Sequence, residues 1–128
     1  MQLKLVENEP KYWEFIRNLR NDSEVKKGFI QQQYITTDNH KSFMENHNKN
    51  FYICLVEEKP AGYVGQIDND IRVATSPEFQ GKGVGKFMIN TLMEKHPNAF
   101  AKVKVENEAS LRLFESCGFK KQYYILEK

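Results

Sequence analysis

Residues 81–86, Gly-Lys-Gly-Val-Gly-Lys, set three glycines and two lysines side by side, and an amphipathic run begins directly behind them. That combination is chemistry for an anion. Glycines let a backbone approach its ligand closely, successive N–H groups can point into one concavity, and a helix start adds partial positive charge, so a pyrophosphate fits. The standard phosphate loops do not match the spacing. A Walker-type loop counted from Gly81 needs its second glycine at Lys86, and the dinucleotide fingerprint needs a glycine at Lys86 or at Met88. The plainer reading is a glycine-rich turn that only caps a helix.

Other reactive side chains form no constellation. His40, His47 and His96 share no metal-ligand spacing, and Asp68-Asn69-Asp70 lacks the rest of a calcium loop, so no metal is expected. Cys54 and Cys117 have no ligand spacing and no obvious His and acid partner, and both read as buried thiols. The aromatic runs at 50–56 and 122–127 alternate as core strands do, which argues against a base-stacking platform.

The elements that must position the loop follow from hydrophobic periodicity. A strand is predicted over 3–7 and a helix over 11–22, entered through Pro10, with Trp13, Phe15, Ile16 and Leu19 on one face. A second helix covers 36–49, with Thr37 or Asp38 as its cap. Residues 50–68 read as a hairpin, and 70–76 as a third antiparallel strand after a tight turn. Behind the loop come a helix over 84–95, a strand over 99–106, a helix over 107–117 stopped by Gly118, and a last strand over 119–127. The order β, α, α, β, β, β, α, β, α, β predicts a mixed sheet covered by helices, an α/β domain spanning 1–128.

Composition agrees with one globular domain: 128 residues, 40% apolar and 28% charged. No apolar run reaches bilayer length and the opening residues read as neither signal nor transit peptide, so a cytoplasmic protein without membrane contact is expected. A net charge of +2, with its lysines scattered, predicts no bulk attraction to nucleic acid.

Placed on that frame, Gln80-Gly-Lys-Gly-Val-Gly85 and the later segment VKVENEASLRLFESCGF (103–119) together resemble the GCN5-related N-acetyltransferase (GNAT) superfamily over residues 50–126. The resemblance implies acetyl-coenzyme A as cofactor. It assigns the pyrophosphate to Gln80, Gly81, Lys82, Gly83, Val84, Gly85 and Lys86, and the pantetheine arm to the main chain of Val73, Ala74 and Thr75. A Thr75 N–H would polarise the thioester carbonyl while an amine attacks directly. Asn107 would touch the cofactor arm from the other side, and its plainer role is a helix cap.

At the helix position where many family members carry a tyrosine as general acid, this chain has Phe114, which would line the cofactor site without a proton to give. Water, the product ammonium, Tyr123 or Tyr124 are the substitutes. For the base, Asp70 is the nearest match, with Asp68 and Glu78 as rivals.

The segment LRNDSEVKKGFIQQQYITTDNHKSF (19–43) is similar to the start of acetyltransferases that modify nucleotide-linked amino sugars, including those of the pseudaminic acid type. By that resemblance Arg20, Asn21, Tyr34 and His40 line the acceptor cleft, with Arg20 suited to a diphosphate. The plainer readings are a surface ion pair for Arg20, core packing for Tyr34 and a helix start for His40. The expected function is acetyl transfer to a small-molecule amine by a monomer or a homodimer. A non-catalytic acetyl-coenzyme A sensor and a peptide N-acetyltransferase are the competing functions.

Overall fold

Two short turns build the sheet. Glu57, Glu58, Asp68 and Asn69 have φ of 49°, 69°, 53° and 70°, the paired left-handed conformation that a two-residue hairpin turn demands. These turns join β1 to nothing but connect β2 (Phe51–Val56), β3 (Lys59–Ile67) and β4 (Asp70–Thr75) in succession, while β1 (Leu3–Glu7) pairs along the far side of β2. The result is a fully antiparallel sheet in the order β1-β2-β3-β4. The structure, a computed structural model, describes residues 1–128.

Five α-helices complete the chain: α1 (Pro10–Asn21), α2 (Ser23–Lys26), α3 (Thr37–His47), α4 (Val84–Lys95) and α5 (Glu108–Ser116). Their starts are written in the sequence. Pro10 opens α1, where a missing N–H costs nothing. Asp22 accepts from the backbone N–H groups of Glu24 and Val25, which starts the short α2 that periodicity alone did not predict. Thr36, not Thr37 or Asp38, caps α3 by accepting from the Asn39 N–H at 3.1 Å.

The two faces of the sheet bury separate clusters. On one face Val84, Met88, Ile89 and Leu92 of α4 pack against Cys54, Val56, Val64 and Ile71, with Phe114 of α5 beside them. On the other, Ile16 and Leu19 of α1 and Met44 of α3 cover Phe51, Ile53, Leu55, Tyr63 and Ala74. Each of the Val, Leu, Ile, Met and Phe side chains among them contributes about 1.5–3 kcal/mol by leaving water. Cys54 is fully buried, its thiol pKa pushed up to about 11 by burial. Cys117, expected to be buried, is only half-buried.

Two expected strands do not form. Residues 99–106 make a single parallel bridge, Phe100 to Asp70, and residues 119–127 join no sheet. A strand exists through its ladder, and strand propensity without a neighbour does not supply one. Beyond Phe100 the segment has no strand on either side. Val105 is accordingly 94% exposed, as are Tyr123 and Leu126 to a similar degree. No helix is long and apolar enough to cross a membrane.

His40 is buried in the seam between α3 and α1, where its Nε2 lies 2.7 Å from the Trp13 carbonyl oxygen. A carbonyl only accepts, so Nε2 carries the proton and Nδ1 is left without a partner. Burial lowers the His40 pKa from its ordinary 6.5, the Trp13 bond opposing that shift. The unfolded chain therefore takes up this proton first as pH falls, so the stability from neutral His40 is complete above the unfolded pKa and is lost on acidification through the folded one. Urea unfolding of wild type and His40→Gln at about pH 8 and about pH 5 checks this: the wild type loses more stability over the interval than the variant does.

Candidate active site

The ladder on the outer edge of β4 closes at one end and stays open at the other. Ile71 donates its N–H to the Phe100 carbonyl at 2.9 Å, and Phe100 returns its own to Asn69 at 2.8 Å. Backbone direction alternates along a strand, so Val73 and Thr75 face outward as Ile71 does. Ser76, facing the other way, donates to Ala61 of β3 at 2.8 Å. No strand meets Val73 or Thr75 on the outer side, and their N–H groups look into a cleft of about 1140 Å³. The Thr75 carbonyl is held by the Gln80 side-chain amide at 3.1 Å.

The glycine loop forms the next wall. Gly81 and Gly83 have φ of +76° and +83° with open space where a Cβ would stand, so they serve conformation and access. Gly83 is the cap residue of α4, and the first bond of that helix runs from the Phe87 N–H to the Gly83 carbonyl at 3.1 Å. The amides of Val84, Gly85 and Lys86 are consequently free of intrahelical partners. A Cβ on Gly85 would stand 2.9 Å from Leu113 Cδ2 and 3.7 Å from Thr75 Oγ1, so this glycine lets the start of α4 sit close to both α5 and the open strand. Unpaired amides, left-handed glycines and a helix start converge here, and they fit a pyrophosphate. Lys86 lines the cleft, whereas Lys82 lies outside its lining with its ammonium 5.8 Å from the centre of the Phe79 ring.

Val73, Ala74, Asn107 and Phe114 line the same cleft. The Asn107 Oδ1 caps α5 by accepting from the Ser110 N–H at 3.1 Å, and its Nδ2 donates to the Gly28 carbonyl at 3.1 Å. Phe114 is buried edge-on to Phe119, ring centres 5.1 Å apart. Asp70 also lines the cleft, with Arg72 and Lys102 nitrogens each 3.7 Å from its carboxylate. It stands five residues from Thr75, roughly 17 Å of strand, so it would reach an amine at Thr75 only across intervening water. Glu78 is paired with Lys59 at 3.1 Å, and Asp68 lies exposed in its turn; neither lines the cleft.

Of the four acceptor-side residues, Arg20 alone lines the cleft. Asn21 pins the next loop, donating to and accepting from the Ile35 backbone at 2.9 and 2.8 Å. Tyr34 is exposed and its hydroxyl accepts from Arg17 at 3.2 Å. His40 is turned into the helix seam already described. Two residues that periodicity gave no reason to single out join Arg20 instead: Tyr63 of β3 and Arg72 of β4. Cross-strand register brings them together, since Tyr63 pairs with Ala74 and Gly65 with Arg72, making them diagonal neighbours on one face. The charged residues of the lining are Arg20, Lys27, Arg72, Lys86, Lys102 and Lys104 against Glu24, Asp70 and Glu106, a cationic balance.

Residues 13–119 match the acetyltransferase (GNAT) family. Spermidine N(1)-acetyltransferase of Vibrio cholerae is 25% identical, over 89% of this chain and 76% of that protein. Among solved structures, spermidine N-acetyltransferase from Vibrio cholerae in complex with CoA and spermine superposes with a TM-score of 0.82 at 23% identity, covering 99% of this chain and 86% of that one. A domain from Methanocaldococcus jannaschii gives 0.80 at 23% identity over 94% and 90% of the two chains. An N-acetyltransferase from Staphylococcus aureus gives 0.79 at 16% identity over 94% and 84%. The glycine loop, the open strand edge and the Asn107 helix all fall within the matched span, and the chain belongs to the acetyltransferase (GNAT) family.

Proposed function

We propose that this chain transfers an acetyl group from acetyl-coenzyme A to a primary amine by direct attack within a ternary complex, and that the amine belongs to a nucleotide-linked sugar. Dependence on acetyl-coenzyme A follows from the family. The observation that carries the reaction type is the unpaired edge of β4 at Val73 and Thr75, lying beside the free amides of α4. The cofactor supplies an acetyl group activated as a thioester. Gln80 to Lys86 would hold its pyrophosphate and residues 73–75 its pantetheine arm.

The remaining work is done by the chain. The Thr75 N–H is the fixed donor offered to negative charge developing on a carbonyl oxygen, and a preorganised donor of this kind is worth about 3–4 kcal/mol of barrier. Asp70, five residues along β4 from Thr75, would act as base only through a relay of several waters. Phe114 offers no proton, so the proton needed by the leaving sulfur would come from solvent or from the product ammonium.

The acceptor rests on the similarity of residues 19–43 to enzymes of nucleotide-linked amino sugars, and on Arg20, which faces the cleft and suits a phosphate. The Vibrio cholerae relatives are named for spermidine. A polycation would meet a lining in which basic groups outnumber acidic ones.

Calorimetry with coenzyme A checks the loop. A β-branched residue at positive φ costs about 1–2 kcal/mol, so the Gly83→Val loop relaxes out of the amide-presenting conformation and has to be returned to it on binding, which weakens coenzyme A binding roughly 5–30-fold; absence of binding by the wild type overturns the loop assignment. Thiol release from acetyl-coenzyme A, measured against nucleotide amino sugars, polyamines, aminoglycosides and peptides, then reads the acceptor. Turnover is expected with the nucleotide amino sugars. Cofactor binding with no turnover on any amine points to a sensor, and turnover on peptides alone to a protein-modifying enzyme.

A further inference from the structure

We infer that Arg20, Arg72 and Tyr63 form a receptor for a compact oxyanion, carboxylate or phosphate, carried by the acceptor amine; this rests on the transferase reading above and deepens it. Arg20 is partly buried against the Phe43 ring, its guanidinium carbon 4.9 Å from the ring centre. None of its nitrogens has a hydrogen bond or an ion pair, which sets it apart from Arg17, held by Glu14, Tyr34 and the Ile35 carbonyl. Tyr63 is 3% exposed, and its hydroxyl makes no hydrogen bond within the chain and is not sealed from the cleft that Tyr63 lines.

Arg20, Arg72 and Tyr63 each have a donor to offer. The two guanidinium groups present only hydrogens, and the Tyr63 phenol, kept protonated by burial that pushes its pKa up to about 12, adds an O–H donor alongside its acceptor oxygen. Burial lowers the Arg20 pKa, with Tyr63 opposing and the Arg72 charge adding to the shift. Neither nearby carboxylate pairs with Arg20, although Asp70 partly neutralises Arg72. Asp70 is shared between Arg72 and Lys102 at 3.7 Å each, and Glu24 is bound to Lys27 at 2.7 Å.

A partly desolvated cation without a counter-ion is unfavourable in the free protein and becomes favourable when an oxyanion arrives. The planar fork of an arginine matches the paired oxygens of carboxylate and phosphate alike. An ammonium meets two like charges here, and the one carboxylate beside them, Asp70, is already shared between Arg72 and Lys102. The corner therefore selects an acceptor that carries a negative group beside its amine, and selects against a polyamine.

The test titrates inorganic phosphate and, separately, acetate into the protein saturated with coenzyme A, so that the glycine loop is filled. Wild type should bind one or both saturably, and Arg20→Gln and Arg72→Gln should each weaken that binding by roughly tenfold or more; the stronger of the two anions names the source. Arg20→Met should raise Tm, because it removes an uncompensated charge. A lowered Tm would make Arg20 a structural prop for Phe43 and overturn the receptor. So would equal anion affinity in wild type and Arg20→Gln, even with coenzyme A binding intact. Failure of coenzyme A to bind would instead strike the transferase reading, and the difference between wild type and Arg20→Gln in the anion titrations would still decide this one.

Discussion

The outer edge of β4 is where the sheet ends before its hydrogen bonding does. A backbone N–H sealed from water without a partner costs about 1–3 kcal/mol, so Val73 and Thr75 have to face either solvent or a ligand. The chain arranges this by touching β4 once and leaving. Ala99 is anchored in the core, Phe100 closes the ladder at Ile71 and Asn69, and the following residues run apart from the strand. Everything else at the site is placed relative to that opening. The connection from Thr75 to Val84 is short, which carries the start of α4 back to the end of the same strand whose edge is open.

The two faces of the sheet divide the labour. Beneath the glycine loop, Met88, Ile89 and Leu92 are fully buried, so the amides at the head of α4 stand on a rigid element, as a fixed anion site requires. The side of the cleft that carries Arg20 is built differently. Between α2 and α3 the chain has no regular structure, and it exposes Ile30 and Tyr34. It is tied down by side chains instead: Asn21 and Arg17 hold Ile35, and Asn107 holds Gly28. A loop of this kind over a rigid frame is where substrate preference can vary without disturbing the cofactor wall.

What was legible in the sequence was what local chemistry decides. The loop at 81–86, the helix over 84–95, the two hairpin turns and the Asn107 cap all follow from residues within a few positions of one another. What was not legible depends on partners distant in sequence. Residues 99–106 and 119–127 have strand composition, but a ladder needs a neighbour and neither segment has one along its length. Arg20 stands out only through the resemblance of residues 19–43 to amino-sugar acetyltransferases. Tyr63 and Arg72 could not be singled out, because only the register of β3 on β4 makes them neighbours. His40 shows the converse: a residue type that suggests chemistry is spent on joining two helices.

Asn107 poses the question of whether a structural duty leaves room for a functional one. Its side chain carries two N–H donors and an oxygen with two lone pairs. One donor goes to Gly28 and one acceptor site to Ser110, so a donor and an acceptor site remain. The contact with Gly28 is also close enough to constrain the loop residue, since a Cβ there would stand 2.8 Å from Asn107 Nδ2. One amide thus stitches the acceptor loop to the helix that walls the cofactor cleft.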